Sequence, residues 1–252
     1  MLLTLPQARK ALFHASMCLR MGEGYSSFFK WAHTVGTASH SIGSVSNTAG
    51  ILETEKETMV AFQGTDDVAD ILLDLECKLV PSSLGRVHEG FLFIWKVYEP
   101  QFLSALKKID PKKERPVSVT GHSLGAALAA QAGACAALNG YVVKDSFLFG
   151  SPRTGDAAWV DSCGKSGARL LRIVNDQDLV TRLPFWVGYK HLPEATYLDK
   201  RGRCSDTRPF SLRSLFWDSW AWALPESTND HWLSEYARKL SLYLAALEGS
   251  PV

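Results

Sequence analysis

The sequence predicts an α/β fold built on a largely parallel central sheet. Strand-like and helix-like segments alternate along most of the chain, the pattern that arises when each helix returns the chain to a parallel neighbouring strand. At 252 residues, 46% of them hydrophobic and 21% charged, there is enough apolar material for one large core, and no linker-like stretch divides it. The expectation is a single domain over residues 1–252 with a tryptophan-rich insertion at about 205–228.

Taken in order, Pro6 to Met21 reads as an amphipathic helix with Ala8, Leu12, Ala15 and Leu19 on one stripe. ILET (51–54) and TMVAF (58–62) read as strands around the polar Glu-Lys-Glu turn. Glu89 to Ile109 is apolar at helical spacing, and Pro100 must start a helix there or kink one. The basic run DPKKERP (110–116) is a solvated turn. VSVT (117–120) is a strand, and a helix of small residues follows it, ending near Asn139 and Gly140. The strand SFLFG (146–150), a helix near Asp156 to Gly164 and the strand RLLRIVN (169–175) complete the alternation.

Composition excludes several classes of protein. With 27 basic and 26 acidic residues the net charge is +1, too little for the phosphate-neutralising surface of a general nucleic-acid binder. No apolar run reaches the roughly 18 residues a membrane-spanning helix needs. Pro6, Arg9 and Lys10 interrupt the apolar start before a signal-peptide core can form. The five cysteines, Cys18, Cys77, Cys135, Cys163 and Cys204, are odd in number and never form a CxxC pair, which argues against a disulfide framework or a zinc site. A reduced cytoplasm is the expected location, and secretion the alternative if a native leader is missing from this sequence.

Chemistry enters at Gly121-His122-Ser123-Leu124-Gly125, a G-x-S-x-G motif between a β-branched strand and a small-residue helix. That context defines a nucleophile elbow, where a tight strand-to-helix turn exposes a serine hydroxyl at its tip. The turn crowds the backbone on both sides of Ser123, so Gly121 and Gly125 are needed for their missing Cβ. Leu124 opens the helix, and its N–H can face an oxyanion. The plainer reading is a glycine-flanked turn with an idle serine.

A serine nucleophile needs a base, and the base an orienting carboxylate. Two histidines follow Ser123. His191 lies in an extended stretch of alternating polarity and reads as structural, whereas His231 lies in a polar loop before an amphipathic helix, where catalytic groups are usually presented. Asp176 and Asp178 both follow a strand, at the carboxyl edge where α/β sites gather. Position alone does not choose between them.

In order, AFQGT, DILLDL, VHEGF, TGHSLGAALA, FGSPRTGD, RIVNDQDLVTRLP and a late Asp-His before a helix resemble the motifs of the class 3, or fungal-type, lipases of the α/β-hydrolase superfamily. The resemblance spans about residues 58–231. It implies an α/β-hydrolase fold and a serine carboxylic-ester hydrolase cleaving acylglycerols or other fatty-acyl esters, with no metal or organic cofactor. By its motifs Ser123 is the nucleophile, His231 the base and Asp178 the acid, leaving Asp176 as a loop or capping residue. Thr65, just beyond the Gly64 that frees the backbone, joins Leu124 in the oxyanion hole. His88 and His122 are structural, satisfied by local hydrogen bonds.

Two segments depart from the family pattern. Ile71 stands where the family carries tryptophan, which leaves open whether DVADILLDLECKLVP forms a lid or a fixed strand. The segment FSLRSLFWDSWAWALPE (210–226) has no counterpart. Its Trp217, Trp220 and Trp222 read either as core filling in an extra helix or as a cap that lines an acyl pocket or meets a lipid–water interface. Leu72, Leu75, Phe185 and Trp186 are further candidates for the apolar acyl pocket. A phospholipase A1-like enzyme or a feruloyl-type esterase would use the same triad. An acyltransferase and a non-catalytic lipid-binding protein are more distant alternatives.

Overall fold

A computed structural model describes residues 2–44, 47–64, 78–185, 187–207 and 230–249. Thr65, Leu72, Leu75, Trp186, Trp217, Trp220 and Trp222 lie outside these residues, as does the Trp-rich segment from 208 onward.

Helix α1 (Leu5–Gly22) starts where Gln7 Oε1 accepts from the Thr4 N–H at 3.0 Å, with Pro6 in the first turn. Its buried face is Ala8, Ala11, His14, Ala15 and Cys18. Leu12 and Leu19, placed on that stripe by periodicity, sit half-buried at its flanks, because small side chains let the helix lie closer to the sheet. Helix α2 (Tyr25–Val35) follows, then strands β1 (Ala38–Ser44), β2 (Asn47–Glu53) and β3 (Thr58–Phe62). A short hairpin, β4 (Leu79–Ser82) with β5 (Gly85–His88), leads into α3 (Glu89–Ile109). Pro100 neither starts nor ends α3. It lies on the exposed side, where solvent can satisfy the Lys96 carbonyl that proline leaves without a donor.

The remaining elements alternate as far as β8 and then run on as strands before a last helix: β6 (Val117–His122), α4 (Leu124–Leu138), β7 (Ser146–Phe149), α5 (Ala157–Lys165), β8 (Leu170–Asn175), β9 (Ala195–Leu198), β10 (Cys204–Ser205) and α6 (Leu233–Leu247). Asp156 caps α5 by accepting from the Trp159 N–H at 2.9 Å, a contact worth about 1 kcal/mol.

One sheet has the order β1-β2-β3-β6-β7-β8-β9-β10. From β3 to β9 neighbouring strands are parallel, while β1 and β2 at one edge and β10 at the other pair antiparallel. Two buried clusters cover its faces. One includes Phe62, Trp95, Tyr98 and Phe102 with α4; the other joins α1, α2 and α6 through Ala15, Phe28 and Tyr236. With both faces covered, β3, β7 and β8 are buried along their whole length, as a parallel sheet requires.

Among the described residues no helix is long and apolar enough to cross a membrane. Cys18, Cys135, Cys163 and Cys204 are free thiols, and burial pushes each of them up to about 12. As thiols with so little thiolate character, they are poor nucleophiles.

Candidate active site

The polypeptide turns from β6 into α4 at Ser123, whose φ of 59° and ψ of −122° lie outside the regions most residues occupy. The neighbouring glycines make that turn possible. A Cβ on Gly121 would come within 2.2 Å of the Gly125 backbone, and one on Gly125 within 2.3 Å of the Phe62 carbonyl oxygen. The Ser123 carbonyl accepts from Ala126 and Ala127. Leu124 and Gly125 supply first-turn N–H groups, which no helix satisfies internally.

Three side chains from separate elements meet at the carboxyl edge of the sheet. His231 Nε2 lies 2.9 Å from Ser123 Oγ, and His231 Nδ1 lies 3.0 Å from both Asp178 oxygens. An ionised carboxylate only accepts, so Nδ1 carries the proton and Nε2 is left to accept from the serine hydroxyl. Ser123 and Asp178 are both 0% exposed.

Asp178 sits on the turn after β8, where Oδ1 also accepts from the Val180 N–H at 2.9 Å and Oδ2 from the Tyr236 hydroxyl at 2.5 Å. Tyr236 in turn accepts from the Asn175 N–H at 3.2 Å. Burial first, and then the Asp178 charge, push the Tyr236 phenol well above its usual range, so it remains a donor. Asp176, two residues before Asp178, has a φ of 32° and accepts from Gln177 Nε2 at 3.2 Å. Among the described residues the His231 ring bonds Asp178 and Ser123, not Asp176. His191 bonds the Thr181 carbonyl instead of approaching Ser123.

His122 packs behind His231. Its ring lies 4.5 Å from that of His231, and its Nε2 donates to the His231 carbonyl at 2.7 Å. Burial, followed by the neighbouring His231, holds its pKa down to about 3, so the ring is neutral. His88 differs from the expectation of local hydrogen bonds. It is buried against Phe91 at 4.4 Å between ring centroids, with no hydrogen-bond partner for either ring nitrogen among the described residues. Packing holds this histidine, and burial lowers its pKa.

A cavity of about 260 Å³ opens beside the site, lined in part by Phe62, Gly64, His122 and Trp232. Trp232 is 55% exposed, and Phe185, on the loop after the Asp178 turn, is 44% exposed. Tyr236 escaped the sequence reading because an aromatic residue on an amphipathic helix reads as core. The available signal was the tyrosine hydroxyl, which needs a partner when buried. Among the described residues no three histidine, cysteine or acidic side chains gather as metal ligands would.

A mostly parallel sheet flanked by helices, with a nucleophile elbow at the end of a central strand, is the architecture of the α/β-hydrolases. Residues 59–188 match the family model described as Lipase (class 3), and the chain belongs to that family. It is 32% identical over 146 residues to the lipase of Rhizomucor miehei, covering 52% of this chain and 39% of that one. It is 31% identical over 156 residues to phospholipase A1-II 1 of Oryza sativa subsp. japonica, covering 51% and 40%. The chain thus spans about two fifths of the length of these curated relatives. Lipase II from Rhizopus niveus superposes with a TM-score of 0.69 at 20% identity, over 91% of this chain and 94% of that one. At that identity the likeness is one of fold.

Proposed function

We propose that this protein hydrolyses fatty-acyl esters through an acyl-enzyme. The carrying observation is the unbroken line from Asp178 through His231 to Ser123, at 3.0 and 2.9 Å. His231 takes the proton of Ser123 as the hydroxyl attacks the ester carbonyl, and Asp178 stabilises the imidazolium that forms. The Leu124 N–H, together with Thr65, receives the oxyanion; loss of one such donor typically costs about 3 kcal/mol of transition-state stabilisation. His231 then protonates the leaving alcohol, and water, activated by the same histidine, releases the acid.

The single-domain reading is supported by the one eight-stranded sheet and by α1 and α6 packing in a shared cluster on one face. An acylglycerol substrate is the reading favoured by the Rhizomucor lipase and by the secreted mono- and diacylglycerol lipases of Fusarium solani and Malassezia restricta. Those two names also favour secretion over the cytoplasm for this protein. Phospholipase A1 activity is the second reading, favoured by the similarity to the rice phospholipases.

The test is a p-nitrophenyl ester series from acetate to palmitate, followed by triacylglycerol and phosphatidylcholine as competing substrates. Ser123→Ala, His231→Ala and Asp178→Asn should each lose at least about 10³-fold in kcat, while Asp176→Asn stays near wild type. An inactive wild type, or an active Ser123→Ala protein, overturns the reading.

A further inference from the structure

Helix α6 sends a second polar side chain to the edge where the loops of acid and base meet. Lys239 follows Tyr236 by three residues, so the two share one face of the helix. Its side chain is only 3% exposed, a position lysine occupies only when its charge is answered. Nζ donates to Asn175 Oδ1 at 2.6 Å and to Asp230 Oδ1 at 3.3 Å. Asn175 uses the other end of its amide to hold the Asp230 main chain, with Nδ2 donating to that carbonyl at 2.7 Å. The second Asp230 oxygen accepts from the Gln177 N–H at 3.2 Å. Lys239, Asn175 and Asp230 therefore close a ring. One side is the end of the strand that leads to Asp178, and the other is the residue immediately before His231.

We infer that Lys239 is a positioning residue for the acid–base pair, acting through Asn175 and Asp230 to set where His231 enters the site. The inference rests on Ser123, Asp178 and His231 acting as proposed above. A reacting geometry tolerates little displacement, since a shift of about 1 Å can lose about 100-fold in rate. The ring and the His122 bond to the His231 carbonyl hold two successive peptide groups.

The Asp230 carboxylate faces Lys239 from α6, the Gln177 N–H and the Asp176 carboxylate from the turn after β8, and the Tyr236 phenol. Burial raises its pKa, and Lys239 is the main influence opposing that rise, while Asp176 adds to it. Without Lys239 the aspartate takes up its proton at higher pH, and there its remaining bond from the Gln177 N–H weakens.

The experiment measures kcat and KM for p-nitrophenyl butyrate from pH 5 to 9, with thermal unfolding alongside. It uses the full chain and its Lys239→Met, Lys239→Arg, Asp230→Asn and Lys239→Met/Asp230→Asn variants. Lys239→Met should lower kcat about 10- to 100-fold with KM within about twofold, and move the acid limb of kcat to higher pH. Lys239→Arg should restore kcat to within about fivefold of wild type. The double variant should lose the acid-limb shift, because asparagine takes up no proton. A folded Lys239→Met protein with wild-type kcat and pH profile overturns the inference. If Lys239→Met does not fold, Asp230→Asn decides: lower kcat at unchanged KM supports the ring, and unchanged kcat overturns it. Absence of activity in the wild type, or its persistence in Ser123→Ala, instead sinks the triad reading and takes this inference with it.

Discussion

Gly150 closes over His231 so tightly that a Cβ built on it falls 3.1 Å from His231 Nδ1 and 2.9 Å from Asp178 Oδ2. Its φ of +57° is a second reason for glycine. Gly150→Ala should therefore push the acid and base apart, lowering kcat about 100-fold. The strained backbone should also lose about 1–2 kcal/mol of stability. Steady-state kinetics with a parallel melting curve check both, and a folded variant with wild-type kcat would show that the pair tolerates displacement.

Tyr236→Phe removes the hydroxyl that donates to Asp178 Oδ2. With the acid less firmly oriented, kcat should fall about 10-fold at little change in KM. A second readout follows from linkage. The folded phenol keeps its proton well above the ordinary value of 10, so above about pH 10 the unfolded chain ionises first and stability falls as pH rises. Melting temperatures between pH 9 and 11 should thus drop less steeply in Tyr236→Phe than in wild type.

His14 acts at the acid end. It is fully buried between α1 and the sheet, with Nε2 3.3 Å from Ser118 Oγ. Burial, and then the Lys10 charge, hold its pKa well below 6.5. Above about pH 6.5 both folded and unfolded histidine are neutral and its contribution is fully present. As pH falls below that value the unfolded chain takes up a proton the folded one refuses, so stability is lost at up to about 1.4 kcal/mol per pH unit. His14→Gln should flatten the fall in melting temperature between pH 7 and 4.5. An unchanged slope would mean that His14 titrates alike in both states.

Gly125→Ala tests the elbow by packing alone. The added Cβ would stand 2.3 Å from the Phe62 carbonyl, backbone against backbone, where no side-chain rotation relieves the clash. Overpacking of this kind destabilises by about 1–3 kcal/mol, or roughly 2–12 °C in Tm for a chain near this size. The shift of the first turn of α4 should also reduce kcat. Full stability and activity together would mean that β3 and α4 can separate at no loss.

Much of the fold was legible because it depends on residues close in sequence. Helices α1, α3, α4 and α5 and strands β3, β6, β7 and β8 carry their own periodicity and boundaries. Strand β1 does not: Ala38–Ser44 lacks an apolar run and is ordered by its antiparallel ladder with β2. Helix α2 and the β4–β5 hairpin also went unread. Pro100, expected to start or kink a helix, sits within one whose freed carbonyl faces water.

By itself the sequence determined the elbow at Ser123, because the need for Gly121 and Gly125 arises within one turn of backbone. It also determined that acid and base candidates would follow in the chain, at loops on the carboxyl edge of a parallel sheet. Position along the chain left Asp176 and Asp178 open, and although the family motifs pointed to Asp178, only the tertiary structure sets its carboxylate 3.0 Å from His231, since where a side chain on one turn points depends on backbone angles that the residues themselves do not display. The same holds for Tyr236, Lys239 and Gly150, which reach the site from α6 and the end of β7. Their parts depend on contacts across 28 to 81 residues of sequence, and spacing along the chain carries no record of such distances.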